Sequence, residues 1–132
     1  MGVKAIIAGG RDYQFSPEDE EWLNSIDDEF EIIEVVHGNC KGADACGMLW
    51  AISRGIPVTA FKVTPEEWKT IGPGAGPLRN KRMAQYLSNT SENGICILFP
   101  GGKGTINMHN QAVKHKLVVL KREDDEGIFG NN

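Results

Sequence analysis

No stretch of this chain approaches the roughly 20 consecutive apolar residues that a membrane-spanning helix needs, and the opening MGVKAIIAGG turns to glycine too early for a secretory signal. Ile6 stands where an N-myristoylation site wants Ser or Thr, which excludes that anchor as well. Cysteine is scarce: Cys40, Cys46 and Cys96 are odd in number, form no CxxC and match no zinc spacing even with His37 added. A disulfide framework is therefore not expected, nor is a metal or any other cofactor, and a reducing, cytoplasmic setting fits, with Cys46 and Cys96 as small core residues. Internal repeats and interdomain linkers are missing too.

Positive charge is absent from residues 12–40, which hold ten acids and neither Lys nor Arg. Residues 41–122 reverse this, with twelve Lys or Arg against Asp44, Glu66, Glu67 and Glu92, before the acidic run Glu123 to Glu126. The net charge of −4 thus conceals a basic middle segment suited to an anionic partner. A pI near 5.3 argues against a protein built to coat nucleic acid. What is present is 132 residues, 40% hydrophobic and 24% charged, enough for one domain with a real core. Residues 1–122 are expected to form that domain, and residues 123–132 a polar, fraying tail.

Short β-branched runs alternate with helical patterns, the signature of repeated βα units. Strands are expected at Val3 to Ala8, Glu31 to Val36, Pro57 to Val63, Gly94 to Phe99 and Leu117 to Lys121. Ser16 and Pro17 open a helix running to about Ile26, with Ser16 as its cap. Further helices are read at Ala43 to Arg54, Pro77 to Leu87 and Thr105 to His115, with a helical turn at Pro65 to Lys69 and a glycine loop after it. Trp22, Trp50, Met48, Met83 and Met108 read as packing residues, and Trp68 as a core or hinge anchor in preference to a stacking surface. The fold class is α/β, a Rossmann-like three-layer α/β/α sandwich on a mainly parallel five-stranded sheet. With strand order 3-2-1-4-5, ligands would bind where the order reverses, between the first and fourth strands.

The loops leaving those two strands are the most glycine-rich. PGGKGT places Gly101, Gly102, Lys103, Gly104 and Thr105 before a helix, where bare backbone N–H groups suit an anion and Thr105 can cap or donate its hydroxyl. It is not a Walker A loop, since the terminal Lys-Ser/Thr is absent. GGRDY offers Gly9, Gly10 and the fork of Arg11, which could instead pair with Asp12 or the acidic helix. HGNCKGAD sets His37, Gly38, Lys41, Gly42 and Asp44 around the next helix start, with Asp44 either a helix-terminus charge or a catalytic or ribose-binding group. His37 suits acid–base chemistry or a plain backbone bond. Arg79, Lys81 and Arg82 oppose the dipole of their own helix start, which favours an external anion, with Arg79 and Asn80 facing inward.

Taken together, GGRDY, HGNCKGAD, the W-x-x-x-G-x-x-A-G-P-L-R-N stretch from Trp68 to Asn80, and FPGGKGT resemble the SLOG superfamily, which contains the Smf/DprA proteins and the LOG phosphoribohydrolases. The branch they resemble most is the YspA, cpYpsA-related one. The resemblance implies a Rossmann-like domain for nucleotide-derived ligands, often a dimer. In LOG enzymes a PGGxGTxxE motif carries a catalytic glutamate, and here Met108 takes that place. A thioether neither accepts a proton nor stabilises an oxocarbenium ion, so that reaction does not transfer as such.

The leading expectation is a module that binds a nucleoside phosphate, NAD or an ADP-ribose type of ligand, as a sensor, carrier or sequestering protein. The alternatives are an N-glycosidic nucleotide hydrolase using Asp44 with His37, and DprA-like single-stranded DNA binding through the basic middle segment.

Overall fold

The computed structural model describes residues 2–123. Five parallel strands, β1 (Val3–Ala8), β2 (Ile32–His37), β3 (Val58–Ala60), β4 (Ile95–Leu98) and β5 (Val118–Lys121), lie in the order β3-β2-β1-β4-β5. Helices α1 (Pro17–Phe30), α2 (Ala43–Ser53), α3 (Pro65–Ile71), α4 (Ala75–Thr90) and α5 (Lys103–Lys114) connect them. This is the Rossmann-like α/β architecture anticipated from the alternating pattern, with the reversal of strand order between β1 and β4.

The alternation of side chains along β1 and β4 builds a core on each face of the sheet. Ala5, Ile7, Ile95 and Ile97 meet Leu23 and Ile26 of α1 and Trp50 and Ala51 of α2. Ile6, Ala8, Cys96 and Leu98 meet Met83, Ala84 and Leu87 of α4 and Met108 and Ala112 of α5. Because helices cover both faces, all four residues of β4 are buried, which is why the central strands read as continuous apolar runs. The Cys96 thiol, fully enclosed, is pushed up to about 12 by burial alone. Cys46, expected in the core, is instead half-buried, its Sγ facing Gln14.

Several boundaries differ from the sequence expectation. β3 spans three residues. It is an edge strand whose partner ends at His37, so beyond the bond from Phe61 N–H to the His37 carbonyl it has nothing to pair with. α1 continues past Ile26 to Phe30 and ends at Glu31 in the left-handed region. Its acidic last turn is supported from α2, where Arg54 bonds Asp27 at 2.9 Å and Asp28 at 3.2 Å. The segment read as a glycine loop is helical: a 3-10 turn, Gly72–Gly74, runs directly into α4. Pro73 and Pro77 both fall in first turns, where their missing N–H groups cost nothing. α5 begins at Lys103 with Gly102 as its N-cap, so Thr105 lies inside the first turn and does not cap it.

Among the described residues no helix is long and apolar enough to cross a membrane.

Asp19 ties the two ends of the chain together. It forms a capping box with Ser16, accepts from the Tyr13 hydroxyl at 2.9 Å and takes the Arg122 guanidinium at 2.6 Å. Burial works against the charged carboxylate, but the Ser16 N–H, Arg122 and Tyr13 outweigh it and hold Asp19 below its ordinary value. The same contact and its own burial push Tyr13 up to about 12. A carboxylate depressed in the folded state stabilises fully above its unfolded value, about 3.9, and loses that contribution as the pH falls through the folded value. Asp19→Asn should therefore lower the unfolding free energy at pH 7 by about 3 kcal/mol. In urea titrations from pH 7 to 2, the difference between wild type and variant should shrink below about pH 4. A difference that stays constant with pH would remove Asp19 from this role.

Candidate functional site

The reversal point is built around the backbone of Gly10. Its N–H donates to the Pro100 carbonyl at 2.8 Å, and its carbonyl accepts from Ala43 N–H at 3.0 Å. Three loops leaving β1, β2 and β4 are thereby brought together at the carboxyl end of the sheet. Gly42 makes this possible: it has φ +78°, and a Cβ there would collide with the Gly10 carbonyl and the Arg11 backbone.

A cleft of about 470 Å³ opens over this junction. One side is polar backbone and cation, from Gly9, Gly10 and Arg11 after β1 and from Gly102, Lys103, Gly104 and Thr105 at the start of α5. The other side comes from α3, the 3-10 turn after it and α4, with Trp68, Pro73, Pro77 and Met83. Helices α2, α4 and α5 start beside the cleft at Gly42, Gly74 and Gly102, and none of the three has a side-chain cap. By contrast α1 and α3 carry full capping boxes, from Ser16 and Thr64. Of the three uncapped starts, the first turn of α5 presents its backbone donors and about half a positive charge to the cleft, whereas the Ala43 N–H of α2 is taken by the Gly10 carbonyl and the Ala75 N–H of α4 by the Gly72 carbonyl.

The neighbouring residues Arg79 and Asn80 fasten two loops to α4. Arg79 Nη1 donates to the Gly38 carbonyl and lies 3.8 Å from Cys40 Sγ, while its Nε donates to Asn80 Oδ1 at 3.0 Å. A Cβ on Gly38 would come within 2.7 Å of the guanidinium carbon, so only glycine lets Arg79 lie this close. Buried Asn80 donates through Nδ2 to the Gly104 carbonyl at 3.3 Å and to Asn107 Oδ1 at 3.0 Å. Hydrogen bonds thus run from the β2 loop through α4 to the first turn of α5.

Asp44 also lines the cleft while 5% exposed. Burial pushes its carboxyl above the ordinary value, against the opposing pull of the Gly38 N–H, Arg79, the Cys40 N–H and Arg11. Its Oδ2 accepts the Gly38 N–H at 2.8 Å, so part of its capacity is already used to shape the loop. His37 is buried and does not line the cleft; its Nδ1 accepts the Asn39 N–H at 3.0 Å. Burial, followed by the charge of Arg79, lowers the imidazole below its ordinary value and keeps it neutral at pH 7.

Of the other residues singled out in the sequence, Gly38, Gly42 and Gly101 back the cleft without lining it, and Lys41 is exposed outside it. Arg11 and Lys103 are exposed in the cleft and have no hydrogen-bond or ion-pair partner among the described residues. The Thr105 hydroxyl is likewise without a hydrogen-bond partner among them. Met108, which the resemblance sets at the position of the LOG glutamate, is 1% exposed and lines the cleft. Trp68 lines the cleft and is 44% exposed, contrary to the anchoring role expected of it. Sequence reading also missed Cys40, although it stands inside HGNCKGAD, and Asn107, a single polar residue with no local pattern around it. Among the described residues no three His, Cys, Asp or Glu side chains gather as a metal-binding set.

Comparison with known proteins adds two findings. The family described as YspA, cpYpsA-related SLOG family matches residues 3–68, from β1 to the Trp68 of α3. The chain is also similar to the Gene 61 protein of Mycobacterium phage D29, with 34% identity over 96 residues, covering 68% of this chain and 71% of that protein. No solved structure matches the chain.

Replacing Asn80 by alanine removes both its bonds to the α5 region and leaves the Gly104 carbonyl and Asn107 Oδ1 unpaired by it. Urea denaturation should show a loss of about 1–3 kcal/mol. Hydrogen exchange should rise at Gly104 to Asn107 before it rises in β1. A uniform change across the protein would show that Asn80 does not hold this junction.

Proposed function

As the chain belongs to the YspA, cpYpsA-related SLOG family, we propose that its cleft binds a nucleotide or nucleotide-derived ligand, such as a nucleoside phosphate, NAD or an ADP-ribose type of compound. The observation that carries this reading is the open first turn of α5 in the cleft, with Arg11, Lys103 and the Thr105 hydroxyl beside it left without hydrogen-bond or ion-pair partners among the described residues. A phosphate seated there accepts backbone N–H groups of α5, the Thr105 hydroxyl and the charge of Arg11 and Lys103. Fixed donors of this kind need little reorganisation, so they favour tight retention of the anion. A sensor, carrier or sequestering protein needs nothing more from the site.

A second reading is N-glycosidic hydrolysis, favoured by Asp44, a cleft-lining carboxyl whose burial raises it toward the range useful for proton transfer. Against it stand the bond that Asp44 already makes to Gly38 and the placement of His37 outside the cleft lining. Asp44→Asn should leave any release of free base from AMP unchanged if the protein only binds. Abolished turnover with binding retained would instead establish the hydrolase.

The principal test is calorimetric titration with AMP, NAD, ADP-ribose and a short single-stranded oligonucleotide. At least one of the small nucleotides should bind. Arg11→Ala and Lys103→Ala should each weaken that binding about ten-fold and reduce its dependence on salt. Because both side chains are exposed, unliganded stability should stay within about 0.5 kcal/mol of wild type. Binding of the oligonucleotide alone would favour the DNA reading, and unchanged affinity in both variants would sink the phosphate assignment.

A further inference from the structure

From the wall of the cleft facing away from the glycine loops we infer that Trp68 forms a stacking platform for a planar aromatic ring, so that the ligand is a nucleobase-bearing phosphate and not a simple sugar phosphate. This rests on the phosphate reading above and adds a subsite to it.

Folding does not account for the indole. The other two tryptophans are used by the core: Trp50 is 4% exposed and donates its indole N–H to Asn24 at 2.8 Å, and Trp22 packs edge-on against Phe99 at 5.5 Å. Trp68 is 44% exposed, and its indole has no ring, cation or hydrogen-bond partner among the described residues. Its helix, α3, contributes no buried residue at all. It is held by the Thr64 capping box and the bond from Arg82 to Glu67 at 2.8 Å, neither of which involves the indole. A large amphipathic ring left in this state is what a binding surface supplies to a flat apolar ligand.

Gly76 defines where that ligand would lie. A Cβ added to Gly76 would sit 3.8 Å from Trp68 Cη2 and 3.9 Å from Arg79 Nη2, ordinary contact distances to both. A group placed above Gly76 therefore touches the Trp68 indole at Cη2 and the Arg79 guanidinium at Nη2, two groups that can stack on an aromatic ring. Pro73 and Pro77 extend the same apolar wall. Phosphate alone has no use for such a surface, whereas a base attached to it through a ribose does.

The test compares AMP with ribose 5-phosphate by calorimetry, on wild type, Trp68→Ala, Trp68→Phe and Gly76→Leu. Wild type should bind AMP more tightly. Trp68→Ala should weaken AMP about ten-fold or more and leave ribose 5-phosphate within about two-fold, with Trp68→Phe recovering most of the loss. Gly76→Leu fills the space while keeping a helix-compatible backbone, and should block AMP without lowering the melting temperature. AMP should also quench tryptophan emission in wild type and fail to do so in Trp68→Phe. Undiminished AMP binding in Trp68→Ala, or equal loss of both ligands, overturns the platform while the phosphate reading stands. If wild type binds neither compound, both readings fall together.

Discussion

The arrangement depends on the backbone hydrogen bonds that Gly10 makes to Pro100 and Ala43. Parallel strands leave all their connecting loops at one end of the sheet, but nothing in a sheet by itself makes those loops touch. Pinning the Gly10 amide between Pro100 and Ala43 fixes the ends of β1 and β4 to the start of α2. Both bonds need backbones to approach more closely than side chains permit, which accounts for the glycine at position 42. Arg79 and Asn80 then extend the same junction toward α5 with side chains.

Electrostatics divides the molecule between its two ends of the chain. Several of the acids before residue 40 are paired: Asp19 in a cap and with Arg122, Asp27 and Asp28 with Arg54, Glu34 with Lys4 and Tyr86. The cations of the cleft are not: Arg11 and Lys103 are exposed and form no ion pair among the described residues, although Arg11 acts at a distance on the Asp44 carboxyl. An acidic protein thus holds a locally positive cleft, and the field that a ligand meets differs in sign from the net charge.

Much of the fold was legible in the sequence because burial on both faces of β1 and β4 leaves uninterrupted runs such as AIIA and ICIL, while the strand order, supposed there to place the reversal, is the one the sheet has. Length was harder to read where pairing sets it: VTAFKV is apolar enough for a longer strand, but its neighbour stops at His37. The glycine-dense stretch before α4 misled for the opposite reason, since prolines in first turns support helix as readily as they break it. In the site, the glycine loops were visible as composition. The direction of single side chains was not: the same spacing that puts His37 at a strand end says nothing of which way its ring turns, and Trp68 offered no local sign that its helix would bury nothing.

The brevity of the border strands bears on how this protein behaves when crowded. β3 and β5 carry three and four residues and are the only rows of the described sheet with an unpaired side. A border that short gives another chain too few backbone groups to zip onto, and Lys121 places a charge on one of them. Concentrated solutions of the native protein should accordingly resist the lateral growth of sheets from molecule to molecule.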